Sequence, residues 1–242
     1  MQNLLLALLL LVSLPTFAET IEFSEDELAT ETVLPVFDKT QVVKNRTISV
    51  SKRFELGAGA GVNMTEALYN NLILNISGAY HFDEIHGINV NATLTGSGLS
   101  AMGENLAQGI GMQASGRKLD ASRAPSVKYL VLGNYQLTAY YGKISVSKQT
   151  TMNLSLYGLA GMGLVGFDDT TNLAMSFGFG QKVYFTKELA LRLDMRLITY
   201  QGPDVTTTTD NLEPGGPKLT SDDLSSTNFF HTHLTLGLVY LL

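Results

Sequence analysis

Apolar side chains alternate with glycine or polar side chains along most of the chain after residue 53. Residues 54–64 show the pattern first: Phe54 and Leu56 begin an apolar row at every second position, while Glu55 and Gly57 begin a glycine-rich, polar row. Successive side chains of a β-strand point to opposite faces, so this alternation predicts a strand with one apolar and one polar face. Equivalent stretches recur down the chain. The predicted strands are residues 54–64, 72–82, 88–95, 127–139, 152–164, 173–185, 189–197 and 228–242.

The connections between these strands are of two kinds. Those that follow residues 82, 139 and 185 are short or moderate, whereas residues 96–126 and 202–227 form long segments rich in small and polar residues. In an up-and-down arrangement both long segments lie at the same end. Short turns at one end, long loops at the other and an even number of antiparallel strands are typical of outer-membrane barrels. We therefore predict an all-β fold, an eight-stranded antiparallel up-and-down transmembrane β-barrel over residues 54–242.

Alternation alone does not show which face points inward. A soluble, lipocalin-like barrel would turn the apolar face inward to bind an apolar ligand, and this is the first alternative. Charged residues make up only 16% of the chain, against about 25% in an ordinary soluble domain, so little surface is suited to water. The polar rows consist mostly of small side chains that suit a crowded lumen. We predict that the charged residues of these rows pair inside the barrel; they are Glu55, Lys128, Lys182, Arg192, Asp194 and Arg196.

Aromatic residues cluster near both ends of the predicted strands, as expected for two girdles at a membrane interface. One group is expected at the end of the barrel where the first strand starts and the last strand finishes: Phe54, Tyr80, Phe82, Tyr140, Tyr141, Tyr184, Phe185 and Tyr240. The group expected at the other end is Tyr69, Tyr129, Phe167, Tyr200, Phe229 and Phe230.

The start of the chain has the composition of a signal peptide. An apolar run over residues 4–14 precedes Pro15, and the small side chains of Thr16 and Ala18 fit a signal-peptidase site, so we expect cleavage after Ala18. Residues 19–31 then carry six acidic side chains and no basic one. The whole chain has 22 acidic and 16 basic residues, so removing these six leaves 16 of each, and the net charge of -6 belongs to this segment.

The predicted organisation therefore has three parts: a signal peptide (1–18), an acidic and then mixed periplasmic segment (19–53), and the barrel (54–242). The acidic segment has two interpretations, a solvated tail or a docking segment for a periplasmic partner.

The last strand is apolar along one face up to Leu242. An exposed apolar strand invites aggregation, so we expect a membrane to cover it. Gly237, Tyr240 and Leu242 resemble the C-terminal signal of bacterial outer-membrane barrels, Gly-x-x-hydrophobic-x-hydrophobic, with Leu in place of the usual terminal Phe or Trp. The resemblance implies recognition by the barrel-assembly machinery.

Four short motifs carry a more specific resemblance. They are Arg53-Phe54-Glu55-Leu56, Tyr80-His81-Phe82-Asp83-Glu84, Tyr141-Gly142-Lys143-Ile144 and Leu156-Tyr157-Gly158-Leu159-Ala160-Gly161. Together they resemble the outer membrane beta-barrel domain family described chiefly in myxobacteria and their relatives, over roughly residues 34–242. The resemblance implies a small outer-membrane barrel of unassigned function and supplies no catalytic residues.

Candidate chemistry is sparse. His231 and His233 are two apart on one strand, so both side chains point the same way, as a metal pair requires, although lumen-filling histidines are the simpler interpretation. His81 is expected at the opposite end, so one ion could not bind all three. The chain has no cysteine, no phosphate-binding glycine loop and no basic patch for nucleic acid.

Two acid pairs, Asp168-Asp169 and Asp222-Asp223, are expected in loops near His231. They leave open an outer-membrane hydrolase with a loop Asp/His site, and also calcium bridges to lipopolysaccharide phosphates. The sequence favours a non-catalytic outer-membrane barrel without cofactor or metal. Its expected role is structural or in surface interaction through loops 96–126 and 202–227, with outer-membrane lipid and lipopolysaccharide as partners.

Overall fold

The computed structural model describes residues 46–96, 98–110, 118–145, 151–206 and 214–242, and within them eight strands form one closed ring. Every strand pairs antiparallel with its sequence neighbours, and the last pairs with the first. The strands are β1 (Phe54–Asn63), β2 (Leu72–His81), β3 (His86–Thr95), β4 (Tyr129–Ser145), β5 (Thr151–Gly166), β6 (Thr171–Tyr184), β7 (Leu189–Pro203) and β8 (Ser226–Leu241). This confirms the eight-stranded antiparallel up-and-down barrel. The predicted signal peptide and residues 19–45 lie outside the described residues.

The two ends of the barrel differ as the connection lengths predicted. At the end where β1 begins and β8 ends, here called the terminal end, residues 82–85 and 185–188 make tight turns. Asp83 accepts hydrogen bonds from the backbone of Ile85 and His86, both 2.7 Å, and Thr186 Oγ1 does the same for Leu189 at 2.9 Å. The opposite end, here called the loop end, carries both long segments.

Strand β4 is longer than the alternation predicted. Its register with β5 shifts between Thr138 and Tyr140, which marks a β-bulge. A bulge changes which face the following residues point to, so the alternation breaks there although the strand continues to Ser145. The sequence pattern therefore ended the strand at residue 139.

The apolar face of the strands points outward and the polar face inward. Leu56, Ile76 and Phe179 are 56%, 65% and 64% exposed, whereas Lys182 and Asp194 are each 1% exposed. A soluble lipocalin-like barrel requires the opposite arrangement, so the structure overturns that alternative.

The described parts of the long segments lie at the loop end. They include the short helix α1 (Ala101–Ala107) and 3₁₀ turns at Ala121–Arg123 and Ser221–Asp223. Tyr69 donates a hydrogen bond to the carbonyl of Ala121 at 3.0 Å, which ties the β1–β2 connection to the long loop. Apolar side chains of the two segments pack together in a buried cluster of Leu119, Ala121, Ala124, Val205 and Leu224. Among the described residues, no helix is both long enough and apolar enough to span a bilayer.

Residues 46–53 cover the terminal end. Ile48 and Val50 are buried against β-strand residues that include Tyr184 and Leu241. Glu84, in the β2–β3 turn, accepts hydrogen bonds from the Ser49 hydroxyl and the backbone N–H of Val50 and pairs with Arg46. This short segment, here called the terminal cover, closes the barrel below its lumen.

The predicted aromatic girdles are only partly present. Phe54, Phe82, Tyr140, Phe185 and Tyr240 are exposed at the terminal end, and Tyr129 and Phe230 at the loop end. Tyr184, Phe167 and Tyr200 are instead buried, and Phe229 packs beside the last two. Tyr184 and Tyr200 fall on the inward parity of their strands, so assigning them to a girdle by height alone was wrong.

Candidate functional site

Buried charges fill the lumen toward the terminal end. Glu55 on β1 lies 2.5 Å from Lys182 Nζ on β6 and 3.3 Å from His81 Nε2 on β2. All three side chains are almost fully buried. An unpaired charge in such a place is very unfavourable, so the pairing explains why these charges can occupy the interior.

A second ionic cluster lies beside the first. One carboxylate oxygen of Asp194 lies 3.3 Å from Arg192 Nε and 3.1 Å from Arg196 Nη2, while the other accepts the Tyr157 hydroxyl. Arg192 also donates to Ser77 Oγ at 2.7 Å. Lys182 Nζ lies 4.8 Å above the centre of the Tyr157 ring, so the two clusters are continuous across the barrel.

Five of the six residues predicted for the lumen charge cluster are therefore in it: Glu55, Lys182, Arg192, Asp194 and Arg196. Lys128 is not. It precedes β4 at the loop end, its side chain is 39% exposed, and its Nζ lies 3.3 Å from Asp168 Oδ1. It lies at the loop-end rim of the barrel, where its side chain reaches Asp168 in the β5–β6 connection and not the charges at the other end of the lumen, so its assignment to the lumen charge cluster was wrong.

The loop-end half of the lumen has a different lining. A cavity of about 90 Å³ lies there between the strands and the loops. Its wall includes an apolar cluster of inward side chains from β4 to β7 and the β5–β6 connection: Leu130, Val165, Phe167, Ile198 and Tyr200. The sequence prediction missed this cavity, although the inward rows of β4 and β7 change from polar to apolar side chains near the loop end.

His231 is held on both ring nitrogens at the side of this cavity. Its Nδ1 lies 2.5 Å from Asn63 Nδ2, and its Nε2 lies 3.2 Å from the Tyr200 hydroxyl. The Asn63 carbonyl oxygen accepts from the backbone N–H of Thr65 at 3.3 Å, which fixes the amide with its nitrogen toward His231. Nδ1 is therefore the acceptor, and the neutral ring donates from Nε2 to Tyr200.

His233 points inward as predicted, yet its environment differs. It lines the cavity and is 9% exposed, and among the described residues it has no hydrogen-bond partner. His81 belongs to the Glu55 cluster. In the described part of the chain, no group of three or more His, Cys, Asp or Glu side chains is arranged to hold a metal ion.

The loop aspartates hold the loops together. Asp168 accepts from the backbone N–H of Ser126 at 3.1 Å, and Asp169 accepts from Ser221 at 2.5 Å and 2.6 Å. Burial alone would raise the pKa of Asp168, but the Ser126 hydrogen bond and Lys128 lower it below its ordinary value. The pKa of Asp223 is also lowered, by hydrogen bonds from Thr220.

The predicted assembly signal lies at the terminal end of β8. Gly237 is half-buried, while Tyr240 and Leu242 are exposed on the outer surface. The Tyr240 hydroxyl donates to Glu188 at 3.1 Å, and the Leu242 backbone N–H donates to Phe54 at 2.8 Å. Recognition of these residues by an assembly machinery stays a prediction.

A closed ring of strands with apolar side chains on its outer face and ion pairs in its lumen has the polarity of a protein that lies in a lipid bilayer. Each strand is hydrogen-bonded to a neighbour on both sides, so the ring leaves no open sheet edge, which is what a membrane-spanning sheet requires. The fold and lumen therefore define a transmembrane β-barrel of the outer-membrane type.

Comparisons with known proteins do not narrow this assignment beyond a transmembrane β-barrel. No family model and no curated protein matches the chain. A structure from the de novo design of transmembrane β-barrels is 10% identical with a TM-score of 0.38, and the alignment covers 79% of this chain and 97% of that one. The crystal structure of Neisserial surface protein A (NspA) is 12% identical with a TM-score of 0.35, covering 78% and 97%. Likenesses this small say nothing about a partner or activity of this chain, and the resemblance to the myxobacterial family stays a prediction.

Proposed function

We propose that this chain is an integral outer-membrane protein without catalytic activity. Its role is structural or in surface interaction, through the external loops 96–126 and 202–227. The observation that carries the proposal is the polarity of the barrel: Leu56 and Phe179 face outward while Glu55, Lys182 and Asp194 are buried within. Outer-membrane lipid and lipopolysaccharide are the partners that such an outer surface fits.

The lumen does not support conduction in this proposal. Eight strands enclose an interior just wide enough for side chains to fill, and here the Glu55 and Asp194 clusters occupy it. The terminal cover also closes one end. We therefore expect the purified protein in a planar lipid bilayer to give no steady ion current; a stable conductance would contradict a closed structural barrel.

Catalysis is the less supported alternative. The carboxylate that approaches His231 is Glu66, 3.8 Å away, and this distance is too long for a hydrogen bond. Asp168, Asp169 and Asp223 are engaged with loop hydrogen-bond donors. The proposed surface role therefore uses these acids to shape the loops.

Export and assembly complete the proposal. Cleavage near Ala18 releases the mature chain into the periplasm, and the assembly machinery recognises Gly237, Tyr240 and Leu242. The acidic segment stays in the periplasm, where a partner for it is an open alternative. Deleting residues 240–242 should leave the protein in the periplasm or degraded, and normal insertion of this truncation would remove the proposed signal.

Protease accessibility tests the orientation and the membrane location together. Protease added to whole cells should cut within residues 96–126 or 202–227 and spare residues 19–31. The control is the same digestion after the outer membrane is permeabilised, when the acidic segment should also be cut. Cleavage of residues 19–31 in intact cells would reverse the orientation, and a monodisperse, detergent-free preparation of the mature chain would refute the membrane assignment.

A further inference from the structure

The loop-end cavity combines acidic and aromatic side chains. Its described lining contains no lysine and no arginine. It contains the carboxylates of Glu66 and Asp204 and the rings of Tyr69, Phe167, Tyr200 and Phe229. Thr206, which is exposed, also lines the cavity, so the cavity reaches the protein surface.

The aromatic rings form a continuous wall. The ring centres of Phe167 and Tyr200 are 5.8 Å apart, and those of Tyr200 and Phe229 are 5.7 Å apart. His231 stacks on Tyr200 at 5.3 Å. Aromatic faces carry partial negative charge and attract cations, and their area also favours an apolar body.

Glu66 provides an acceptor that the protein does not fully use. Its Oε1 accepts from the backbone N–H of Leu68 at 3.1 Å, but its Oε2 is 3.8 Å from the nearest ring nitrogen of His231. That ring nitrogen already accepts from Asn63, so it has no proton to donate to Glu66. Within the described part of the chain, Oε2 therefore remains available to a donor from a ligand.

The negative charge of Glu66 acts on other side chains that line the cavity. Burial is the main reason that the pKa of Tyr69 is raised, and the negative charge of Glu66 is the next. A negative field around an aromatic wall disfavours anions and favours a positively charged ligand.

His233 gives an independent sign of a ligand. It lines the cavity, is 9% exposed and lacks a hydrogen-bond partner among the described residues, whereas His231 beside it is bound on both nitrogens. Its ring nitrogens are not among the fully enclosed polar atoms that lack a partner in the described chain, so they open into the cavity and can bond to what enters it. Arg196, the cross-strand partner of His233, is bound to Asp194 and does not line the cavity, so the positive charge of a ligand is expected on the Glu66 side.

We propose that this cavity binds a small organic cation, an ammonium group carried on an aromatic or short aliphatic body. The ammonium group donates to Glu66 Oε2, and the body packs along Tyr200 and Phe229. A water molecule needs about 10–15 Å³ of such space, so a cavity of about 90 Å³ accommodates a molecule of roughly six to nine non-hydrogen atoms.

Histidine NMR of the refolded full chain in detergent tests the proposal directly. The chain has four histidines, of which His81 and His86 lie at the terminal end and serve as internal references. Titration with phenethylamine should shift the ring ¹⁵N signals of His231 and His233 saturably and leave the two references unchanged. Phenethyl alcohol, which has the same shape and no charge, should bind at least about tenfold more weakly, because a hydrogen bond between charged groups is lost.

Two pairs of variants separate the cavity from partition into the micelle. Glu66→Gln should weaken phenethylamine binding by at least about tenfold, whereas Glu104→Gln on exposed α1 should not change it. Phe229→Leu should weaken it about threefold or more, whereas Phe230→Leu on the outer face should not. The difference in migration between unheated and boiled samples on SDS gels verifies that each variant is folded.

Three results would overturn the proposal. They are equal affinity for the amine and the alcohol, equal effects within both pairs of folded variants, and the lack of any saturable shift at His233. If Glu66→Gln does not fold, the Phe229 and Phe230 pair decides alone.

Discussion

The two halves of the lumen are built from the same strands but with different chemistry. On β7, Arg192 and Asp194 face the terminal half, and Ile198 and Tyr200 face the loop half. The terminal half is held by ion pairs and charged hydrogen bonds, whereas the loop half is lined by packed apolar and aromatic side chains around a cavity. The outer surface does not change between them, since both halves face the same apolar environment.

Because of this difference, the terminal half of the lumen tolerates substitutions less well than the loop half. A buried ion pair depends on a specific partner, and the removal of one partner leaves the other charge without compensation. Aromatic and aliphatic side chains exchange with smaller losses when their volume is preserved. The terminal half therefore acts as a fixed base, and the loop half is the part that can accommodate a ligand.

The largest expected effect is in the terminal half. Asp194→Asn keeps the shape of the side chain but leaves Arg192 and Arg196 without the carboxylate that both contact. We expect the free energy of unfolding in detergent to fall by about 3–5 kcal/mol. Urea titration followed by the change in gel migration measures it, with exposed Asp222→Asn as a control near zero. A loss below about 1 kcal/mol would show that the ionic cluster is not what holds this half.

A charge on the outer surface should have the next largest effect. Leu193→Arg places a guanidinium on the lipid-facing side of β7, where an arginine near the middle of the bilayer costs about 2–4 kcal/mol. The same change at Leu72, at the loop end of β2, should cost at most about 1 kcal/mol. Refolding into lipid vesicles at graded urea concentrations measures both. Equal costs at the two depths would mean that the bilayer does not cover the barrel as proposed.

The outer face of the barrel could be predicted from the sequence because one physical rule governs it. Outward positions in the middle of the strands meet lipid, so the apolar row of β7 from Leu189 to Leu197 is regular enough to fix the strand and its orientation. No single rule decides which side chains occupy the inner face, because each inward residue must fit and pair with its own neighbours across the lumen. Alternation identified Lys182 and Asp194 as inward but did not show which partners they contact.

Two misassignments have local causes. Lys128 lies at the loop-end rim, where Asp168 of a neighbouring connection binds it outside the lumen charge cluster, and the bulge between Thr138 and Tyr140 ended the visible alternation too early. The loop-end cavity depends on residues from distant segments, such as Glu66, Phe167 and His233, that only the closed ring brings together. The spacing of these residues along the sequence does not show that they lie close together in the folded barrel.

A change in the aromatic wall should have a smaller effect than either charge substitution. Phe167→Leu removes the edge contact with Tyr200 while retaining most of the apolar volume, so we expect a loss of about 1 kcal/mol. Phe177→Leu, on the outward face, should cost less. The urea titration used for Asp194 measures both. If Phe167→Leu lowered the free energy of unfolding as much as Asp194→Asn, the two halves of the lumen would not differ in their sensitivity to substitution.

The smallest expected effect concerns the terminal cover and depends on pH. Burial alone would raise the pKa of Glu84, but hydrogen bonds from Ser49 and Val50, with the charge of Arg46, lower it below the ordinary value of 4.5. A lowered pKa in the folded state means that the carboxylate stabilises the attached cover above about pH 4.5, and that this contribution disappears as the pH falls through the lowered pKa.

Amide hydrogen exchange at Val50 tests this expectation, because its backbone N–H donates to Glu84 at 3.2 Å. Wild type and Glu84→Gln must be compared at each pH, since the intrinsic exchange rate itself varies with pH. At pH 7 the variant should exchange several-fold faster, and the ratio should approach one as the wild-type carboxylate becomes protonated. Glu188→Gln, in the other terminal turn, should leave Val50 unchanged at every pH. A Glu84→Gln ratio that stays constant from pH 7 to pH 3 would show that the charge of Glu84 does not hold the cover, and that the burial of Ile48 and Val50 alone closes this end of the barrel.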